Sequence, residues 1–181
     1  MNLFSKIICF FLKLPAQMKG MTFGKNSFIG PGYDFLFLDL KNVEVKDNVM
    51  IGKRAWFQTV HEGRIVIGSG THIGRDAVLS SRNEIIIGKN CLLSYRISIL
   101  DHDHKLGRSN TSPMKSGLTK GKKIIIGDNC FIGANVCITK GVVLGKHCAV
   151  GANSVVTKSF PDNSIIVGNP ARLIRSLDKD A

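Results

Sequence analysis

The sequence predicts a mainly β solenoid of short strands wound into stacked triangular coils. Three observations carry that reading: aliphatic residues recur every six positions, glycine follows most of them, and the repeat matches no helical period. Read from Ile126, the segment IGDNCF IGANVC ITKGVV LGKHCA VGANSV opens every hexad on an aliphatic side chain, and Gly follows in four of the five. A helix repeats near 3.6 residues and a strand at 2, so a period of six fits neither. One short strand plus a turn accounts for it, and three hexads close a coil whose aliphatic residues stack on those above and below.

Residues 1–20 precede the repeat. Their apolar run, Ile7 to Leu12, is interrupted by Lys13 and stopped by Pro15, well short of the roughly 20 residues a spanning helix needs. No small-residue cleavage site marks a signal peptide. With Lys6, Lys13 and Lys19 flanking Phe and Ile, residues 1–19 read as an amphipathic helix on an anionic membrane face, or equally as a cap over the end of the solenoid. Residues 21–181 read as one domain, since 181 residues are too few for two of ordinary size.

The hexad signal starts at FGKNSFIGPG from Phe23, continues at Val45, Ile51 and Phe57, and returns in IGSGTH IGRDAV LSSRNE from Ile67 and at Ile87, Leu93 and Ile99. The fifth position is small or β-branched: Cys130, Val136, Val142, Cys148 and Ser154. A narrow interior demands such residues, so Cys91, Cys130 and Cys148 read as packing rather than reactive thiols. The glycines are expected to serve tight turns at positive φ.

The count breaks between Asp101 and Lys123, where about 23 residues rich in Ser, Gly and Lys begin with Asp101-His102-Asp103-His104. Coils offer only flat faces, and a loop this long inside a compact domain is usually functional. Imidazole has a pKa near 6.5 and accepts a proton at neutral pH, while an adjacent carboxylate, Asp101 or Asp103, would fix its tautomer. His61, His72 and His147 occupy hexad positions that read as surface turns.

Twenty-five Lys and Arg against 13 Asp and Glu give a net charge of +12, so the partner is expected to be an anion: a phosphorylated cofactor, an acidic glycan, a lipid surface or nucleic acid. An aromatic content of 7%, with no zinc-finger, helix-turn-helix or RNP pattern, argues against nucleic acid. The five cysteines contain no CxxC pair, which points away from a disulfide framework or structural zinc and towards a reducing cytoplasm.

Over about residues 23–175 the pattern resembles the hexapeptide-repeat acyltransferases, and SILDHDHKLG resembles the active-site segment of their sugar O-acetyltransferase branch. That resemblance implies a left-handed parallel β-helix with one protruding loop, about 101–123, and a short C-terminal helix after GNPA. It implies direct acetyl transfer from acetyl-CoA to a sugar hydroxyl, with a histidine as general base. The DHxH pattern favours His102; ungapped extension of the hexads favours His104. Phe131, Ala134, Ala152, Thr157, Lys158 and Arg175 fall at the family's CoA contacts, although many relatives carry Trp where this chain has Phe131. The family assembles into homotrimers with the cofactor groove between subunits. An amino-sugar N-acyltransferase, a serine or xenobiotic acetyltransferase and a non-catalytic scaffold remain alternatives. Gamma-class carbonic anhydrases share the fold, but the histidine spacings here do not reproduce their zinc ligands, so no metal is expected. A cytoplasmic enzyme at the inner face of the membrane, acting on a surface glycan or its precursor, is the combined expectation.

Overall fold

Among the described residues, three sheets of six, eight and five strands, parallel except for the last strand of the second, wrap a single apolar column. The computed structural model describes residues 3–34, 40–106 and 112–177. On the first face, Phe23, Val45, Ile67, Ile87, Ile126 and Leu144 lie in register. Ile29, Ile51, Ile73, Leu93, Ile132, Val150 and Ile166 form the second, and Phe57, Leu79, Ile99, Ile138 and Val156 the third. All but Phe23 are buried. Each side chain contributes roughly 1.5–3 kcal/mol on leaving water, so the repeated aliphatic position is the main source of stability.

The hexad count holds at two corners of the triangle and fails at the third. From Ile51 to Phe57, from Ile73 to Leu79 and from Leu93 to Ile99 the chain advances six residues. Between the third and first faces it takes ten from Phe57 to Ile67, eight from Leu79 to Ile87 and 27 from Ile99 to Ile126, and only then returns to six. The long loop is thus the largest of several expansions at one corner. Residues 107–111, inside the loop, lie outside the described residues.

The glycines after the aliphatic residues do a different job from the one expected. Their φ angles are not positive; at the corner turns that conformation is taken mostly by asparagines, such as Asn48, Asn90, Asn135 and Asn153. Asn tolerates it because its short polar side chain bonds locally. A Cβ on Gly52 would sit 2.5 Å from Arg75 N, and one on Gly133 would sit 2.6 Å from Ala152 N. Glycine is required there so that successive coils can approach.

The fifth hexad position forms a polar-edged ladder up the interior. Cys91, Cys130 and Cys148 are buried, and their Sγ atoms donate to Gly127 O, Gly145 O and Pro161 O, each at 3.1 Å. Thr71 Oγ1 donates to Gly88 O at 2.7 Å one coil below. The neighbouring thiols of Cys148 and Cys91, together with burial, push the Cys130 thiol up. These cysteines pack.

Helix α1 (Leu3–Met18) closes the N-terminal end. Ala16 is buried, the Tyr33 hydroxyl donates to Leu12 O, and Lys13 Nζ lies 5.7 Å from the Phe23 ring centroid. Pro15 does not end it: the helix runs on to Met18. Ile7, Ile8, Phe10, Phe11, Leu14 and Met18 remain exposed on its outer side, so the segment caps the solenoid and still carries an uncovered apolar face. The side chains of Lys6 and Cys9 lie outside the described residues.

At the other end, a strand occupies the stretch after GNPA where the sequence predicts the start of a short C-terminal helix. Ala171–Ser176 is a strand running antiparallel to Ser164–Gly168, after a reversal at Gly168 with φ 105°. The last parallel strand would otherwise present unpaired backbone groups, and a returning strand satisfies them where a helix would not. Residues 178–181 lie outside the described residues.

Candidate active site

The site grows from a change of residue type at the expanded corner. Thr59 and Ser81 pair across adjacent coils, and Asp101 follows Leu100, which pairs with Ser80. Thr59, Ser80, Ser81 and Asp101 are all buried. Burying polar groups costs free energy unless each is hydrogen-bonded, and among the described residues every buried side-chain N or O has a partner.

Asp101 is fully buried and accepts four hydrogen bonds. Oδ1 receives Arg82 N at 2.7 Å and His102 Nδ1 at 2.9 Å; Oδ2 receives Ser81 Oγ at 2.8 Å and Asn83 N at 2.8 Å. A carboxylate only accepts, so the His102 ring donates through Nδ1, and in the neutral tautomer that contact selects, Nε2 is the acceptor. The His102 side chain is only 9% exposed. Its ring is held against Asp101 and is not that of a solvated loop residue.

His104 is exposed and belongs to an antiparallel bridge with Leu118. Asp103 is exposed too, and pairs with Lys140 Nζ from the next coil. The loop is tied down close to this point: Thr119 N donates to Asp103 O at 2.8 Å, Lys105 N to Gly117 O at 2.8 Å, and Lys122 N to Asp101 O at 2.8 Å. Arg82 Nη1 donates to Leu118 O at 2.6 Å and Thr119 O at 2.7 Å. Ser81, Arg82, Asn83 and Lys140 were not singled out by sequence. For the first three the signal was present in LSSRNE, a hexad with no glycine and two serines where its neighbours have one or none; nothing in ITKGVV marked Lys140.

The residues at the family's cofactor positions are spread over three places. Ala134 and Ala152 stack at the corner between the second and third faces, where Asn153 N donates to Ala134 O at 2.8 Å. Thr157 and Lys158 follow the strand Val155–Val156 at the His102 corner, with Lys158 Nζ 5.6 Å from the Phe160 ring centroid. Phe131 and Arg175 lie on the second face, Phe131 beside Leu92 and Ala149, Arg175 beside Ile165. Between the two corners runs the third face, whose five strands contain no charged residue. Its outward side carries Trp56, Val78, Leu100 and Val155 beside Gln58 and Ser98, with a small-residue edge at Ala134 and Ala152 and a cation at Lys158. His61 and His147 occupy corner turns at φ 55°, whereas His72 is on the strand His72–Ile73, pointing outward. Among the described residues no three His, Cys, Asp or Glu side chains group as metal ligands.

A coiled body of six-residue repeats with a histidine at an inserted loop defines a class, and comparison with known proteins names it. Residues 123–158 match the family model described as hexapeptide repeat of succinyl-transferase. The chain is 41% identical over 120 residues to a protein of Dictyostelium discoideum named as an acetyltransferase, covering 63% of this chain and 62% of that one. It is 30% identical over 139 residues to the Escherichia coli protein WcaF, named for colanic acid biosynthesis, covering 75% and 66%. Among solved structures, AntD from Bacillus cereus, an N-acyltransferase in complex with dTDP and coenzyme A, superposes with a TM-score of 0.70 at 26% identity, covering 85% of this chain and 83% of that one. The chain belongs to the hexapeptide-repeat acyltransferase family. It spans 62%, 49% and 58% of the lengths of three curated relatives it matches.

Proposed function

We propose that this chain is an acetyl-CoA-dependent O-acetyltransferase that acts on a sugar hydroxyl of a surface polysaccharide or its precursor. The observation that carries the reading is the buried Asp101–His102 pair at the mouth of the loop. Acetyl-CoA supplies the acyl group as a thioester. His102 Nε2 takes the proton of the acceptor hydroxyl as its oxygen bonds the acyl carbon; the carbon–sulfur bond breaks, and the proton passes to the departing thiolate. Asp101, unable to turn because four donors grip it, holds the ring through that cycle. A hydroxyl needs such a base more than a neutral amine does, which favours O- over N-transfer; the likeness to AntD keeps amino-sugar transfer as the second reading.

Two features support the assembly and the location. The uncharged third face, in a chain of net charge +12, suits burial against another subunit, so a homotrimer would set His102 of one chain beside a cofactor held partly by the next. The outer side of α1, with Phe10 and Phe11 exposed beside Lys13 and Lys19, suits an anionic membrane and a lipid-linked acceptor. Among the described residues no helix is long and apolar enough to cross a membrane.

A screen of acceptor sugars with acetyl-CoA, read by release of free CoA thiol, tests the activity. No acceptor-dependent release, or equal release by wild type and His102→Ala, would leave a non-catalytic scaffold. Liposome flotation of wild type against Phe10→Ser/Phe11→Ser tests the membrane contact, and equal partitioning would refute it.

A further inference from the structure

We infer that the acceptor carries a phosphate or diphosphate group, and that a cavity of about 520 Å³ between the loop and the neighbouring corner holds it; this rests on the acyltransferase reading above. The lining residues are Arg82, Asn83, Lys105, Leu118, Lys120 and Gly121, three cationic and none acidic. The acids around it are engaged elsewhere. Asp101 is filled by its four donors, Asp103 pairs with Lys140, and Glu84 pairs with Lys123 and Arg64. Among the described residues Arg82, Lys105 and Lys120 have no carboxylate partner. The whole segment 101–123 carries Lys105, Arg108, Lys115, Lys120, Lys122 and Lys123 against only Asp101 and Asp103.

The cavity is prepared before any ligand arrives. Two carbonyls fix the Arg82 guanidinium through Nη1, so its remaining N–H groups are aimed without further ordering, and a planar fork suits phosphate oxygens. Gly121 lies against the Asn83 backbone, where a Cβ would meet Asn83 N at 2.9 Å, keeping this wall closed. The cavity also shares a wall with the reacting centre, because the amides of Arg82 and Asn83 bind Asp101 while both residues line the cavity. An acceptor held there by its phosphates would carry its sugar towards His102. Three converging cations exceed what one sugar carboxylate neutralises and match a diphosphate. Nucleotide-linked and isoprenoid-linked sugars share that group.

Calorimetric titration of the full chain with pyrophosphate, at fixed ionic strength and with or without saturating CoA, tests the assignment. Pyrophosphate should bind equally in both conditions and about tenfold more weakly to Lys105→Gln/Lys120→Gln, with the KM for acetyl-CoA unchanged. UDP and geranyl diphosphate form two competing arms; displacement of pyrophosphate by either supports the proposal, and the tighter competitor identifies the carrier. Displacement by CoA would hand the cavity to the cofactor and overturn the inference, as would wild-type affinity in the double variant or failure of both diphosphates to compete. Pyrophosphate binding that survives while no acceptor ever supports thiol release would retain the anion site and sink the acyltransferase reading alone.

Discussion

The coils between Ile126 and Val156 and the corner that carries Asp101 are made by the same chain on opposite terms. In the first, every side of the triangle takes six residues, every inward position is apolar or small, and successive coils lie so close that Gly127 and Gly133 admit no Cβ. In the second, the chain takes ten, eight and then 27 residues to turn, and the inward positions become Thr59, Ser81 and Asp101. Regularity maximises burial but leaves no concavity and, among the described residues, no charged group inside. Relaxing it at one corner admits a buried carboxylate, whose cost the Ser81 hydroxyl and two amides offset. The loop extends a corner that was already departing from the count.

The sharpest way to break this contrast is at the corner itself. His102→Ala should lower kcat by roughly 10²–10⁴-fold with an unchanged melting temperature, while His104→Ala stays near wild type in thiol release. The reverse ranking would move the base to the exposed histidine. Asp101→Asn should act on both sides of the comparison: a drop in kcat of about 10–100-fold as the ring loses its orienting acceptor, and a loss of roughly 1–3 kcal/mol because an amide NH2 would face donors. Urea denaturation followed beside kinetics would separate the two; a stable, inactive variant would mean the packing around Asp101 tolerates the amide.

In the regular coils the effect should fall first on stability, with any change in acetyl-CoA affinity following from displacement of Ala152. Gly133→Ala would set a Cβ 2.6 Å from Ala152 N and force the next coil away, and should cost about 1–3 kcal/mol. A neutral result in urea would show that the coils can slide apart. The smallest effect belongs to the surface ladder of Lys46, Glu44, Arg64, Glu84 and Lys123. Lys46, then Arg64, hold the Glu44 carboxyl below its usual range, and Lys123 does the same chiefly for Glu84. A depressed folded pKa means the contribution is present above the unfolded value, near 4.3, and fades as pH falls through the folded one. Because the pairs are exposed, the loss in acid should stay under about 1 kcal/mol and shrink further in high salt. A steeper acid transition would point to the corner instead.

Much of this was legible because a solenoid writes its fold in local spacing. Ile126, Ile132, Ile138, Leu144, Val150 and Val156 announce the three faces directly, and the break at Asp101 marks the loop. The terminal strand Ala171–Ser176 was missed because it exists only to pair an edge, which no periodicity within ARLIRS reveals. Ser81 and Asn83 were missed because their roles are defined by a carboxylate about twenty residues away in sequence and one coil away in space.

By itself the sequence determined the stacking, the narrow interior, the place of the insertion and the acid–histidine cluster with which the insertion begins, since each depends on residue type and short spacing. Only the tertiary structure buried His102 against Asp101 and left His104 and Asp103 exposed, gathered Arg82, Lys105 and Lys120 around one cavity, and set α1 as a cap with its outer face uncovered. Those choices depend on which coil lies above which. Burial and hydrogen-bond partners are properties of that stacking, and a linear string of residues does not contain them.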